Sequence, residues 1–125
     1  MSIKEKTMEM KKWAVVGATI KEDRFGYKIV KRLKDRGYQV YPVNPKFDQV
    51  AGIDCYNSIS DIDDKIDVVD IVVNPKVGIK VMQEIKEKDI NYVWLQPGTR
   101  SDEIREFAEK EDIQIIEDCI YAALS

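Results

Sequence analysis

A chain of 125 residues and 14.5 kDa, 44% hydrophobic and 34% charged, has the size and apolar content of one ordinary domain that folds around its own core. Lys and Arg number 20 against 23 Asp and Glu, a net charge of -3 with pI near 5.1. That balance argues against a protein that coats nucleic acid or an anionic membrane, so any anion it binds must be held locally.

There is no histidine, and the two cysteines, Cys55 and Cys119, form no CxxC pair. This argues against a zinc site and removes the usual general base of Ser and Cys hydrolases. No apolar run approaches the roughly 20 residues that cross a bilayer. Met1 to Lys12 alternates charge with Met and Ile instead of forming a signal-peptide core, so a cytoplasmic protein is expected. Residues 1–12 read as a flexible N-terminal extension and residues 13–125 as a single domain.

From Trp13 onward, short β-branched runs alternate with segments of helical period, the pattern of βαβ units and a parallel sheet. The first strand is Trp13 to Gly17. The helix after it shows Ile29, Val30 and Leu33 on one face and ends near Arg36, with Gly37 as its stop. Gln39 to Val43 is the second strand, and Ser60 to Lys65 allows only a short acidic turn of helix. Val68 to Val73 is the third strand, continuously apolar except at Asp70. A helix opening at Pro75 then repeats Val77, Val81 and Ile85. Tyr92 to Leu95 is the fourth strand. The next helix is capped by Ser101, with Asp102 and Glu103 in its first turn, and Ile113 to Ile116 is the fifth strand. Right-handed crossovers favour a Rossmann-like, doubly wound α/β sheet, with an expected strand order of 3-2-1-4-5. Ligands of such sheets sit at the carboxyl ends of the strands.

Strand one ends in Gly17-Ala18-Thr19, and Arg24 and Gly26 precede the helix. A glycine lets the backbone approach a phosphate, Thr19 offers a hydroxyl, and the helix start presents unpaired amides. The spacing is neither GxGxxG nor GxxxxGK[ST]; the same two glycines also suit a plain turn with close helix packing. Strand two ends in Asn44-Pro45-Lys46. A dinucleotide unit keeps an acid there for the ribose hydroxyls, so NAD is disfavoured, and Lys46 invites an extra phosphate. Strand three ends in Val73-Asn74-Pro75-Lys76, a second Asn-Pro-Lys on the same rim. Each Asn-Pro alone is turn punctuation; the pair suggests a polar cleft for an anionic nucleotide. After strand four, Gln96 can donate and accept, and Gly98 leaves room for a ligand chain. Cys119 follows strand five, where it is either a thiol near the rim or a buried, inert cysteine.

The succession Val15-Val16-Gly17-Ala18-Thr19, Gly26-Tyr27, Gly37-Tyr38-Gln39-Val40-Tyr41-Pro42-Val43-Asn44-Pro45-Lys46, Gly52 to Tyr56, Val93 to Gln96 with Gly98, and Asp118-Cys119-Ile120 resembles the small stand-alone CoA-binding domain proteins. These are similar to the N-terminal CoA-binding domain of the succinyl-CoA synthetase alpha subunit. The resemblance implies a fold that binds coenzyme A, with its phosphates near Gly17, Thr19 and the helix start. It implies Asn44 to Lys46 around the adenosine, and Val73 to Lys76 with Gln96 near the rest of the cofactor. It does not extend to the ligase reaction, because the synthetase's phosphorylated histidine belongs to a further domain and this chain has no histidine.

The leading expectation is a module that carries or senses CoA or an acyl-CoA without its own catalytic constellation. The alternatives are an NAD(P)-linked oxidoreductase on the same sheet, and a redox role in which Cys119 forms a mixed disulfide with the CoA thiol. No protein partner is specified, and a homodimer stays open.

Overall fold

The computed structural model describes residues 1–125. In chain order it has α1 (Ile3–Met8), β1 (Lys12–Val16), α2 (Phe25–Asp35), β2 (Gln39–Val43), β3 (Gln49–Val50), β4 (Ile53–Asp54) and a 3-10 turn (Ile59–Asp61). There follow β5 (Val68–Ile71), α3 (Pro75–Glu87), β6 (Tyr92–Leu95), α4 (Asp102–Lys110), β7 (Gln114–Ile116) and α5 (Ile120–Ala123). β1, β2, β5, β6 and β7 are the five expected strands, and they form one parallel sheet with helices on both faces, a Rossmann-like α/β fold.

The strand order differs from the expected 3-2-1-4-5. The sheet runs β2-β1-β5-β6-β7, which is 2-1-3-4-5 in the count of the five runs. Pro42 gives the physical reason. It pairs in register with Val15, and its carbonyl points away from β1 to accept from the Tyr56 amide at 2.9 Å. A parallel-strand residue directs its N–H and C=O to the same side, so the donor that proline lacks is missing on the outer edge of β2. An edge position tolerates that loss. β5 is buried at all four positions and takes the interior place beside β1 instead. The sheet therefore grows to opposite sides from β1, toward β2 on one side and β5 on the other, and the crevice expected of an open α/β sheet opens at the carboxyl ends of β1 and β5.

Alternation along the strands divides the core in two. Ala14, Val16, Val69, Ile71, Val93 and Leu95 face α3 and α4 through Val81, Met82, Ile85, Ile104 and Ala108. Trp13, Val15, Val68 and Trp94 face α2 and α5 through Ile29, Val30, Leu33, Ile120 and Leu124. Fully buried side chains on both faces explain why the strands read as continuous apolar runs.

Residues 1–12, expected as a flexible extension, contain a docked helix. Ser2 and Glu5 make a reciprocal capping box on α1, and β1 already starts at Lys12. Thr7 is fully buried and accepts a hydrogen bond from the Trp94 indole at 2.9 Å, while the Trp13 indole donates to the Met10 carbonyl at 2.8 Å. Lys4 meets Asp118 at 2.6 Å. No helix is long and apolar enough to cross a membrane.

Candidate functional site

The carboxyl ends of β1 and β5 lie side by side, and Val72 continues the ladder by donating to the Val16 carbonyl at 2.8 Å. Gly17 sits at the bottom of the crevice with φ +101, a backbone angle that side chains strain to adopt. A Cβ there would also stand 3.0 Å from the Val73 side chain and 3.1 Å from the Val72 carbonyl carbon, so this strand end admits only glycine. Gly26 closes the helix onto it from the other side.

α2 is the exception among the longer helices. Asn74 accepts from the Val77 amide at 3.0 Å to cap α3, and Ser101 accepts from the Ile104 amide at 3.2 Å to cap α4. α2 has no capping side chain and no acid in its first turn, and the amides of Phe25 and Gly26 meet no backbone carbonyl. These donors face the crevice with the positive end of the helix dipole. They border a cavity of about 420 Å³ lined by Gly17, Thr19, Lys21, Arg24, Phe25, Gly26, Val72 and Pro97. A second cavity of about 390 Å³ also begins at Gly17 and runs between Asn44, Pro45 and Lys46 on one side and Val73, Val77 and Val81 on the other. Lys21, Arg24 and Lys46 border these spaces without forming any ion pair. An extended ligand with an anionic middle fits two cavities that share one glycine.

Of the sequence-predicted residues, Gly17, Thr19, Arg24 and Gly26 line the first cavity, and Asn44, Pro45, Lys46 and Val73 line the second. The amide group of Asn44 is turned inward. It donates to the Ala18 carbonyl at 2.8 Å and accepts from the Lys46 amide at 2.9 Å, so it brackets the two strand-end loops together. Asn74 is occupied as the α3 cap with Pro75 in the first turn, and Lys76 is exposed beside them; none of the three lines either cavity. Gln96, expected near the cofactor, is 4% exposed and spends its amide on Asp70 and the Asp118 carbonyl. Gly98 has open space around it and, like Ala18 and Cys119, lines neither cavity. Cys119 is half-buried at the start of α5, its amide held by Asp118 at 2.8 Å. Cys55 is half-buried beneath the Asn44 carbonyl, and burial pushes its thiol up.

Sequence reasoning missed Lys21, Phe25, Val72 and Pro97 in the first cavity, and Asn57, Ser58, Val77, Val81 and Glu84 in the second. Lys21 and Phe25 stood between two residues already singled out, so the loop could have been taken whole. Glu84 arrives from the third turn of α3 and accepts from the Ser60 hydroxyl at 3.1 Å, a meeting across 24 positions that no local pattern encodes.

A family profile described as "CoA binding domain" matches residues 11–125. The ADP-forming acetate–CoA ligase of Methanocaldococcus jannaschii is 37% identical over 111 residues, 82% of this chain and 16% of the ligase. The uncharacterized protein YneT of Bacillus subtilis is 32% identical over 122 residues, 97% of this chain and 90% of that protein. This chain thus spans a small part of the ligase and most of YneT. Among solved structures, a hypothetical protein from Pyrococcus horikoshii OT3 superposes with a TM-score of 0.90 at 38% identity, covering 96% of this chain and 85% of that one. The dinucleotide-forming acetyl-coenzyme A synthetase 1 of Ca. Korarchaeum cryptofilum, in complex with phosphate and ADP, superposes with a TM-score of 0.79 at 25% identity, covering 94% of this chain and 28% of that one.

Proposed function

We propose, from the premise that this chain belongs to the CoA-binding domain family, that it binds coenzyme A or an acyl-CoA in the double crevice at Gly17 and serves as a carrier or sensor of that cofactor. The uncapped N-terminus of α2, opening on a cavity edged by Lys21 and Arg24, is the observation that carries this reading. The diphosphate lies over Gly17, where the Phe25 and Gly26 amides and these two cations meet it. The adenosine lies in the second cavity, against the apolar walls of Val73, Val77 and Val81, with Lys46 toward the ribose 3'-phosphate. The pantetheine arm leaves past Phe25 and Pro97. The role proposed is to hold the cofactor.

A thermal-shift series with CoA, dephospho-CoA, NAD and ATP tests this. A ligand at 100 times its dissociation constant stabilises the fold by about 2.7 kcal/mol, so CoA at that excess raises the unfolding temperature by several degrees. NAD gives little shift, since the end of β2 offers its ribose no acid. Equal shifts with all four, or none with CoA, would refute the reading.

A further inference from the structure

The central strand β5 carries a carboxyl group where the fold otherwise places only apolar side chains. Asp70 is fully buried, with Val15 and Trp94 as its neighbours in register on the two adjoining strands. Its Oδ1 accepts from Gln96 Nε2 at 2.5 Å, and its Oδ2 has no hydrogen-bond partner. A buried polar atom without a partner costs free energy, so the group is kept for something other than packing.

Gln96 shows what that is. Its backbone amide reaches the Ile71 carbonyl of β5 at 3.4 Å, and its carbonyl accepts from the Thr99 amide at 3.1 Å and the Thr99 hydroxyl at 2.6 Å, closing the turn after β6. Its side-chain amide also donates to the Asp118 carbonyl at 3.3 Å, on the connection between β7 and α5. Nε2 therefore stands between two acceptors, and turning the amide over would set its oxygen against the Asp118 carbonyl. Pro97, the next residue, lines the phosphate cavity.

We infer that Asp70 is a positioning residue for CoA binding: by fixing Gln96 from beneath the sheet surface, it sets the Pro97 wall of the crevice and joins it to the Asp118–Cys119 connection. The inference rests on the CoA reading for its function and on the hydrogen bonds alone for its geometry. Burial holds the Asp70 carboxyl well above the usual carboxylate range, with the Gln96 hydrogen bond opposing.

Two readouts on three variants test it: CoA affinity by titration calorimetry, and backbone amide exchange at residue 96, Thr99 and Cys119, whose amides are hydrogen-bonded. Asp70→Leu fills the space and removes the orphan oxygen but leaves one N–H of the buried Gln96 amide without its acceptor, and it binds CoA about ten-fold more weakly because one hydrogen bond that holds the wall is gone. Exchange at the three amides rises by a similar factor. Asp70→Asn keeps an oxygen acceptor for Gln96 and restores both readouts. Gln96→Met removes the amide from the other end and reproduces the Leu result, which keeps the test open if Asp70→Leu folds badly. Wild-type affinity and wild-type exchange in Asp70→Leu or Gln96→Met overturn the inference. If the unmodified protein binds no CoA, the functional reading fails, and exchange alone decides whether Asp70 positions Gln96: faster exchange supports it and unchanged exchange overturns it.

Discussion

Gly26 lies directly against the carbonyl of Gly17: a Cβ built at position 26 would stand 2.2 Å from that oxygen. The contact is with backbone, which cannot swing aside, so the first turn of α2 approaches the end of β1 only because residue 26 has no side chain. Gly26→Ala therefore pushes the helix start away from the crevice. Overpacking of this kind costs about 1–3 kcal/mol. The expected result is a lower denaturation midpoint together with a CoA affinity at least about ten-fold weaker, as the Phe25 and Gly26 amides lose their aim. Wild-type affinity in a folded Gly26→Ala protein would contradict the placement of the phosphates.

Lys46 separates CoA from its dephosphorylated form. The residue is exposed, unpaired and borders the second cavity, where the ribose is proposed to lie. Lys46→Ala is expected to weaken CoA by roughly three- to ten-fold, the range of one charge-assisted contact at a solvated rim, and to leave dephospho-CoA almost unchanged. The discrimination between the two ligands, measured by calorimetry, shrinks with added salt in the wild type and is absent in the variant. Equal losses for both ligands would move Lys46 away from the 3'-phosphate.

Asn44 occupies the place of a dehydrogenase's ribose-binding acid but points into the protein. Asn44→Asp does not create an NAD site: it sets a carboxylate against the Ala18 carbonyl and removes the donor between the two loops. A loss of about 1–3 kcal/mol in unfolding free energy is expected, with CoA binding weakened and NAD binding no better than before. Tight NAD binding by this variant would show that the side chain is free to turn outward.

Asp70 makes stability depend on pH in a distinctive direction. Its folded-state value is raised above the ordinary 3.8, first by burial, with the Gln96 hydrogen bond opposing. The stability it contributes is complete below that ordinary value and is lost as pH rises toward the folded-state value, since the unfolded chain releases the proton more readily. Asp70→Asn does not titrate. Its unfolding free energy relative to wild type should climb by about 1.4 kcal/mol per pH unit above pH 4 and then level off. Denaturation series on both proteins from pH 4 to 9 check this; parallel curves would mean that Asp70 titrates normally.

Thr7 ties the N-terminal helix to the core. Thr7→Val removes the acceptor of the Trp94 indole and leaves that N–H buried and unpaired. The expected cost is about 1–3 kcal/mol. Thr7→Ser keeps the hydroxyl and should recover most of it. If residues 1–12 were only an appendage, neither change would move the denaturation midpoint.

Much of the architecture was legible in local patterns. Gly37 and Pro75 bound their helices, Ser101 caps α4, and the five apolar runs became the five strands of the sheet. Their order was not, although Pro42 held a usable clue: a missing donor matters only once it is known which side of the strand it faces. The docked α1 was concealed because Thr7 and Trp94 are 87 positions apart, and the Ser2–Glu5 capping box was the one local sign of it.

Composition, periodicity and turn residues determined the fold class and the loops in which a ligand would sit, because strand and helix periods and backbone angles depend on near neighbours. Only the folded molecule decided which side chains face that ligand. Asn44 and Gln96 are polar, stand at strand ends and turn their amides to other segments of the protein, while Asn74 spends its side-chain oxygen on capping α3. Lys21, Phe25 and Glu84 reach the crevice instead. A side chain's direction is set by what packs around it, and those partners come from distant segments that meet only when the sheet is assembled.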